Sequence, residues 1–260
     1  MEFQTVTYEL NADGYAVIGL NRPDKMNAMT AQMRAEIPVA LAEAIKAGAR
    51  CVVLTGHGKA FCSGQDLGDG GNAAEIDLER VLRDEYNPMV QNLVSSPVPV
   101  IAAVNGAAAG AGANLALVAD VVIATKSAYF MEAFTRIGLI PDAGGTYFLP
   151  RLVGPAKAMG AALFAERISA EEADQMGMIW EHVEDTEFET HWRARAAHLA
   201  HGPTEAYRRT KKALRASLGN SLEEQLNLEA REQGRAGKSR DFKEGVMAFL
   251  EKRKAHFEGR

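Results

Sequence analysis

The chain has 260 residues, with 29 Lys and Arg against 34 Asp and Glu and a formal net charge of −5. Without a basic block this balance argues against nucleic-acid binding, no run reaches the roughly 18 apolar residues of a membrane span, and two cysteines are too few for a disulfide framework or a zinc site. Residues are 47% hydrophobic but only 7% aromatic, so the composition predicts a large core of small aliphatic side chains and, by default, a cytoplasmic enzyme of small-molecule chemistry.

The N-terminal MEFQTVTYEL lacks the basic start and apolar run of a signal peptide. Val6–Leu10 and Tyr15–Leu20 read as strands about the turn Asn11–Gly14. Thr30 is placed to cap a helix running to Lys46, with Gly48 as its stop and Pro38 as a kink or break inside it. Cys51–Thr55 is a buried strand, followed by the loop GHGKAFCSGQD. Ile76–Val94 has helical spacing. Val98–Asn105 is a strand, Gly106–Gly112 a small-residue link, Ala113–Val118 a helix and Asp120–Ala124 a further strand. Strands joined by helices imply crossovers and largely parallel pairing. From Gly154 nearly everything reads as helical, with breaks at Gly177, His201–Pro203 and Gly219–Asn220. The boundary falls near residue 200, giving a core over 1–200 and a helical region over 201–260.

Three segments stand out chemically. Gly106–Gly112 links a strand to a helix and has only small side chains. It allows close approach of a ligand to backbone N–H groups at a helix start, or simply close helix–sheet packing. It is no dinucleotide fingerprint, because no acid ends a strand some 20 residues on. Phe61–Leu67 (FCSGQDL) follows a strand, the usual position for ligand contacts in α/β sheets. Its Cys62 reads as an ordinary semi-buried thiol, since no histidine is placed beside it, and Ser63 is not in a nucleophile elbow. Gly138–Thr146 (GLIPDAGGT) holds Asp142, which reads either as a helix N-cap or as a base whose apolar surroundings raise its pKa. Glu132 is the other acid nearby. The six histidines are scattered without metal-ligand spacing, so no metal is expected.

In order and spacing these segments resemble the crotonase (enoyl-CoA hydratase/isomerase) superfamily. The likeness spans LNRPDKMNAM (Leu20–Met29), LTGHGKAFCSGQDL (Leu54–Leu67), PVIAAVNGAAAGAGANLALVADVVIA (Pro99–Ala124), GLIPDAGGTYFLPRLVG (Gly138–Gly154) and FLEKR (Phe249–Arg253). It implies an α/β fold with a ClpP-like ββα spiral core, a helical C-terminal trimerisation region, a homotrimer or dimer of trimers, and an acyl-CoA substrate whose coenzyme A is no separate cofactor. It further implies that the backbone N–H groups of Gln65 and Ala111, the latter next to Gly110, hold the thioester oxygen as an enolate forms. Lys25, Met26, Ser63, Asp66, Leu67, Phe249 and Lys252 match positions that contact CoA, the last two often across subunits. On sequence alone Lys252 reads as a solvated cation.

The two hydratase glutamates of the superfamily match Asn114 and Phe134, neither of them acidic, so a water-activating carboxylate pair is missing. Asp142 stands where hydratases often carry Gly and where members with other chemistry carry an acid. Ile137–Val183 resembles the phenylacetate-degradation branch, which isomerises ring-1,2-epoxyphenylacetyl-CoA to oxepin-CoA and shifts cis-3 to trans-2 double bonds. The expectation is an isomerase with Asp142 as its acid/base. Alternatives are a Δ3,Δ2-enoyl-CoA isomerase or hydratase-like enzyme of fatty-acid oxidation, a thioesterase or dehalogenase, and a non-catalytic CoA-ester-binding subunit. Apolar lining for a seven-membered ring is expected from Leu82, Tyr86, Met89, Phe134 and Ile140.

Overall fold

A computed structural model of the chain describes residues 2–68 and 76–260. β1 (Val6–Leu10) and β2 (Tyr15–Leu20) form the expected hairpin, Val6 opposite Leu20. Helix α1 (Ala31–Lys46) starts at Thr30, whose hydroxyl accepts from Met33 N–H at 3.2 Å. Pro38 does not break it. The proline removes one intrahelical bond, but Met33, Ile37, Ala40, Leu41 and Ala44 are buried on both sides of it and hold the halves in line.

The chain then repeats one unit. A strand joins a large sheet, a short strand joins a small sheet, and a helical segment returns. β3 (Cys51–Gly56) and β4 (Ala60–Cys62) lead into α2 (Leu78–Val81), a π turn (Leu82–Tyr86) and α3 (Asn87–Val94). β5 (Val100–Val104) and β6 (Ala107–Ala109) lead into α4 (Ala111–Leu117), and β7 (Val121–Thr125) and β8 (Tyr129–Met131) into a 3-10 turn (Ala133–Ile137). After α5 (Gly145–Phe164) come β9 (Ile168–Ser169), α6 (Ala170–Gln175) and β10 (Glu181–Val183). The large sheet has the order β1-β2-β3-β5-β7-β10 and the small one β4-β6-β8-β9. All pairings are parallel except β1–β2 and β8–β9.

Both faces of the large sheet are covered, so its central strands are apolar throughout rather than alternating. Ile18, Leu54, Ala102 and Ala124 face the main core with α1. Tyr15, Val17, Val53 and Ile101 face Phe188, Trp192 and Ala196 of α7 (Phe188–Ala200). The rest is helical: α8 (Thr204–Ser217), α9 (Leu222–Ala236) and α10 (Arg240–Leu250). Lys211 and Arg215 of α8 pair with Asp120 at 2.6 and 2.8 Å, tying α8 to the end of β5, where Val100 N–H also donates to Asp120.

The short strands depart from expectation. β6 lies inside Gly106–Gly112, and β9 and β10 fall in a stretch that reads as helical. Two or three residues carry too little periodicity to reveal a strand, and pairing with β4, β8 and β7 decides them. Gly154 (φ 77°) kinks α5.

Candidate active site

Asp142 ends the loop before α5, and the structure separates its two readings. The N-cap is Gly144 in a left-handed conformation, with no side chain capping the helix. The Asp142 carboxylate is therefore free of the helix start, and its Oδ1 is buried with no hydrogen-bond partner among the described residues. Asp142 forms part of a cavity of about 570 Å³ whose wall includes Leu78, Leu82, Leu139, Ile140 and Pro141. Burial pushes its pKa up to about 6, against the pull of the Arg34 guanidinium. A carboxyl group so placed can hold a proton and return it near neutral pH.

Two backbone donors come from neighbouring segments. Met29 N–H donates to Gly64 C=O at 2.8 Å, and Asp66 N–H donates to Met29 C=O at 3.0 Å. A trans peptide turns its N–H opposite to its C=O, so the Gln65 N–H points away from Met29, and it donates to no acceptor among the described residues. Ala111 is the first residue of α4, where N–H groups lack intrahelical partners. Gly64 (φ +99°) lets the two meet: a Cβ there would stand 2.9 Å from Ala109 O and 3.5 Å from Ala111 N. Gly110 is the N-cap of α4, and its own N–H donates to Met131 O at 2.8 Å. A loop N–H and a helix-start N–H without other acceptors can together hold an oxyanion.

Asn114 lies on the same helix and is buried. Its Nδ2 donates to the backbone carbonyl of Asp142 at 2.9 Å and to Glu132 Oε2 at 3.3 Å. Burial drives the Glu132 pKa up to about 7, and the Asp142 charge adds to the rise. Glu132 is 3% exposed and is not part of the cavity wall. Phe134 is buried, its ring close to Gly110: a Cβ at Gly110 would be 3.9 Å from Phe134 Cζ. Of the expected ring-pocket residues, Leu82 and Ile140 line the cavity, whereas Tyr86, Met89 and Phe134 are core.

Several of the sequence-distant residues expected to contact CoA are stitched together at one edge. Ser63 N–H donates to Met26 O at 3.0 Å and Ser63 Oγ to Lys25 O at 3.4 Å. Lys25, Met26 and Leu67 are exposed beside them. Asp66 is not free: Arg22 Nη1 holds its carboxylate at 2.7 Å and keeps it below the usual range. Phe249 and Lys252 are not brought to this edge by any hydrogen bond, ion pair or ring contact among the described residues; Phe249 lines a separate groove with Phe242, Leu250 and Phe257. Cys62 is fully buried and its thiol is pushed up to about 12, which removes it as a nucleophile. His57 bonds Thr7 Oγ1 at 2.7 Å instead.

Sequence reasoning passed over Arg34 and the part of Tyr86 in the site. Arg34 Nη1 and the Tyr86 hydroxyl both donate to Gln65 Oε1, at 2.9 and 2.6 Å. A signal existed: Arg34 is in helical register with Ile37, Leu41 and Ala44 on the buried stripe of α1.

A family model described as enoyl-CoA hydratase/isomerase matches residues 11–260. A probable enoyl-CoA hydratase of Rhodobacter capsulatus is 64% identical over 260 residues, covering all of both chains. A 1,2-epoxyphenylacetyl-CoA isomerase of Escherichia coli is 45% identical over 251 residues, covering 95% of this chain and 96% of the relative. A crystal structure of an enoyl-CoA hydratase subunit from Geobacillus kaustophilus superposes with a TM-score of 0.93 at 34% identity, covering 100% of both chains.

Proposed function

The chain belongs to the enoyl-CoA hydratase/isomerase family, with the crotonase fold and CoA thioesters as its substrates, and from that premise we propose that it is an acyl-CoA isomerase of the phenylacetate type, converting ring-1,2-epoxyphenylacetyl-CoA to oxepin-CoA. One observation carries this reading. Asp142 is the partly buried, unpaired carboxylate on a largely apolar cavity, whose other acid, Glu79, is exposed and paired with Arg83, while the positions matching the hydratase glutamates hold an amide turned to backbone and a buried phenyl ring. A single base working with two backbone N–H donors suits proton transfer rather than the activation of water.

In this mechanism Asp142 takes a proton from the carbon beside the thioester. The negative charge that develops on the thioester oxygen is held by Gln65 and Ala111 N–H. The carbon–carbon bond shared by the epoxide and the six-membered ring opens, so that the oxygen becomes a member of a seven-membered ring, and Asp142 returns the proton to a ring carbon; in a 3-enoyl-CoA the double bond shifts instead and the proton returns to the far carbon of the allylic system. Nothing enters or leaves, so the product is an isomer. Burial of the carboxylate keeps the Asp142 pKa high enough for both transfers. Lys25, Met26, Ser63 and Leu67 are assigned to CoA, with Phe249 and Lys252 supplied by a second copy. A homotrimer or dimer of trimers would also cover the exposed apolar residues Met159, Leu163, Phe164, Phe249 and Leu250.

The 64% identity to a probable hydratase favours a second reading, hydration of a 2-enoyl-CoA. Turnover of ring-1,2-epoxyphenylacetyl-CoA, 3-enoyl-CoAs and 2-enoyl-CoAs separates the two. Isomer formation from the first two supports the proposal. Hydration of a 2-enoyl-CoA at a higher kcat/KM than either isomerisation overturns it, and failure on all three leaves the CoA-ester-binding subunit.

A further inference from the structure

Arg34 is 3% exposed, and a buried guanidinium is retained only where its donors are matched. Here they are divided between two tasks. Nε and Nη2 hold Glu85 Oε2 at 3.0 and 2.6 Å. Nη1 holds Met29 O at 3.0 Å and Gln65 Oε1 at 2.9 Å. The Tyr86 hydroxyl donates to the same Gln65 oxygen, and the guanidinium lies 4.8 Å from the centre of the Tyr86 ring. Glu85 and Tyr86 are consecutive residues of the π turn, whose i→i+5 spacing is found mostly as single turns at functional places in helices.

We propose that Arg34 is a positioning residue for the oxyanion hole, gripping Gln65 twice so that its backbone N–H is aimed at the thioester oxygen. The first grip is on the Gln65 side chain. The second is on the Met29 carbonyl, which also receives Asp66 N–H, the next peptide along. With Met29 N–H on Gly64 C=O, both peptides of Gln65 are fixed against α1's entry segment, and the Gln65 N–H is left without an acceptor among the described residues. This rests on the reading of Gln65 N–H as an oxyanion donor. Lysine cannot replace arginine, because a point ammonium lacks the planar fork that spans Glu85 and Gln65 together.

Acetoacetyl-CoA tests it without turnover. Its enolate absorbs in the near ultraviolet, and an oxyanion hole raises the enolate fraction of the bound ligand. Wild type is expected to show the band. Arg34→Lys is expected to lower the bound enolate fraction and to cut kcat by about 10- to 100-fold, as a misaimed donor does, with KM changed little. Tyr86→Phe keeps the ring and removes one bond to Gln65 Oε1; a smaller fall in the same direction is expected, and it decides the matter alone where Arg34→Lys does not fold. In a Gln65→Ala background the Arg34→Lys effect shrinks, because one grip is already gone. A full wild-type band in either folded variant overturns the proposal, as does an Arg34→Lys effect undiminished by Gln65→Ala. A wild type that binds acetoacetyl-CoA without the band overturns the oxyanion-hole reading, and this inference falls with it.

Discussion

Asn114 Nδ2 donates to the backbone carbonyl of Asp142 at 2.9 Å and leaves the Asp142 carboxylate without a bond from it. The helix that begins at Ala111 therefore also anchors the segment carrying Asp142, one turn further along. In the proposed reaction this sets the oxyanion donor and the acid/base group on a common support and leaves the carboxylate to change its protonation.

Asn114→Ala should loosen that support. The Asp142 carbonyl and the buried Glu132 lose a donor, so stability is expected to fall by about 1–2 kcal/mol, read by urea unfolding. Isomerisation kcat is expected to fall about tenfold or more with KM little changed. Wild-type kcat in the folded variant would remove Asn114 from the positioning of Asp142.

The base must be ionised to accept a proton, and burial sets its pKa at about 6. Isomerisation kcat/KM should therefore drop about tenfold per pH unit below that value and level off above it. Methionine at position 34 removes the charge that opposes burial, so the acid limb of Arg34→Met should move to higher pH. A pH–rate profile flat from pH 5 to 8 contradicts the role given to Asp142.

Asp142→Asn should abolish isomerisation yet leave acyl-CoA binding measurable by titration. Its effect on stability has a definite sign. The folded-state pKa lies above the ordinary value of 3.8, so the wild-type protein is relatively more stable below pH 4 and loses that advantage as pH rises through 6. The asparagine variant should exceed wild type by about 2 kcal/mol at pH 8, a gap that closes below pH 4. Thermal melts at the two pH values test this, and an unchanged gap denies the raised pKa.

Phe134→Ala should open the pocket between Gly110 and the 3-10 turn to water. Better solvation of the Asp142 carboxylate lowers its pKa, so the acid limb is expected to shift to lower pH while kcat falls. Loss of a buried ring also costs about 3–5 kcal/mol in stability, so the profile is to be recorded at a temperature where the variant is folded. An acid limb unmoved in the folded variant shows that Phe134 does not dry the site.

Asp120→Asn should detach α8 from the core. It removes the counter-charge of Lys211 and Arg215, which face one carboxylate that is 11% exposed and keep, among the described residues, only the carbonyls of Ser96, Val98 and Val118, and a cost of about 3 kcal/mol is expected. Denaturant unfolding should show the loss, with the sharpest rise in hydrogen exchange over α8. Exchange unchanged in α8 would mean that the bonds of Lys211 and Arg215 to the carbonyls of Ser96, Val98 and Val118, with the packing of α8, hold it without the Asp120 charge.

Much was legible in the chain itself. The hairpin from Val6 to Leu20, α1 from its Thr30 cap and the parallel strands β3, β5 and β7 follow from local periodicity and turn chemistry. Gln65, Ala111 and Asp142 stood out because their ordered motifs resemble those in which the crotonase superfamily carries its backbone donors and, in some members, an acid. The amino-acid order also determined that the two hydratase acids are absent, since Asn114 and Phe134 cannot become carboxylates in any fold. The tertiary structure decided what one-dimensional patterns leave open. Asp142 is no helix cap, because Gly144 takes the cap conformation two residues later. Arg34, which the sequence motifs do not single out, is buried because Glu85, 51 residues away, and Gln65, 31 residues away, arrive to match its donors. The raised pKa values of Asp142 and Glu132 exist only once packing removes water from both. Side-chain type and spacing are properties of the chain, whereas burial, pairing over long sequence distance and electrostatic environment are properties of the packed molecule.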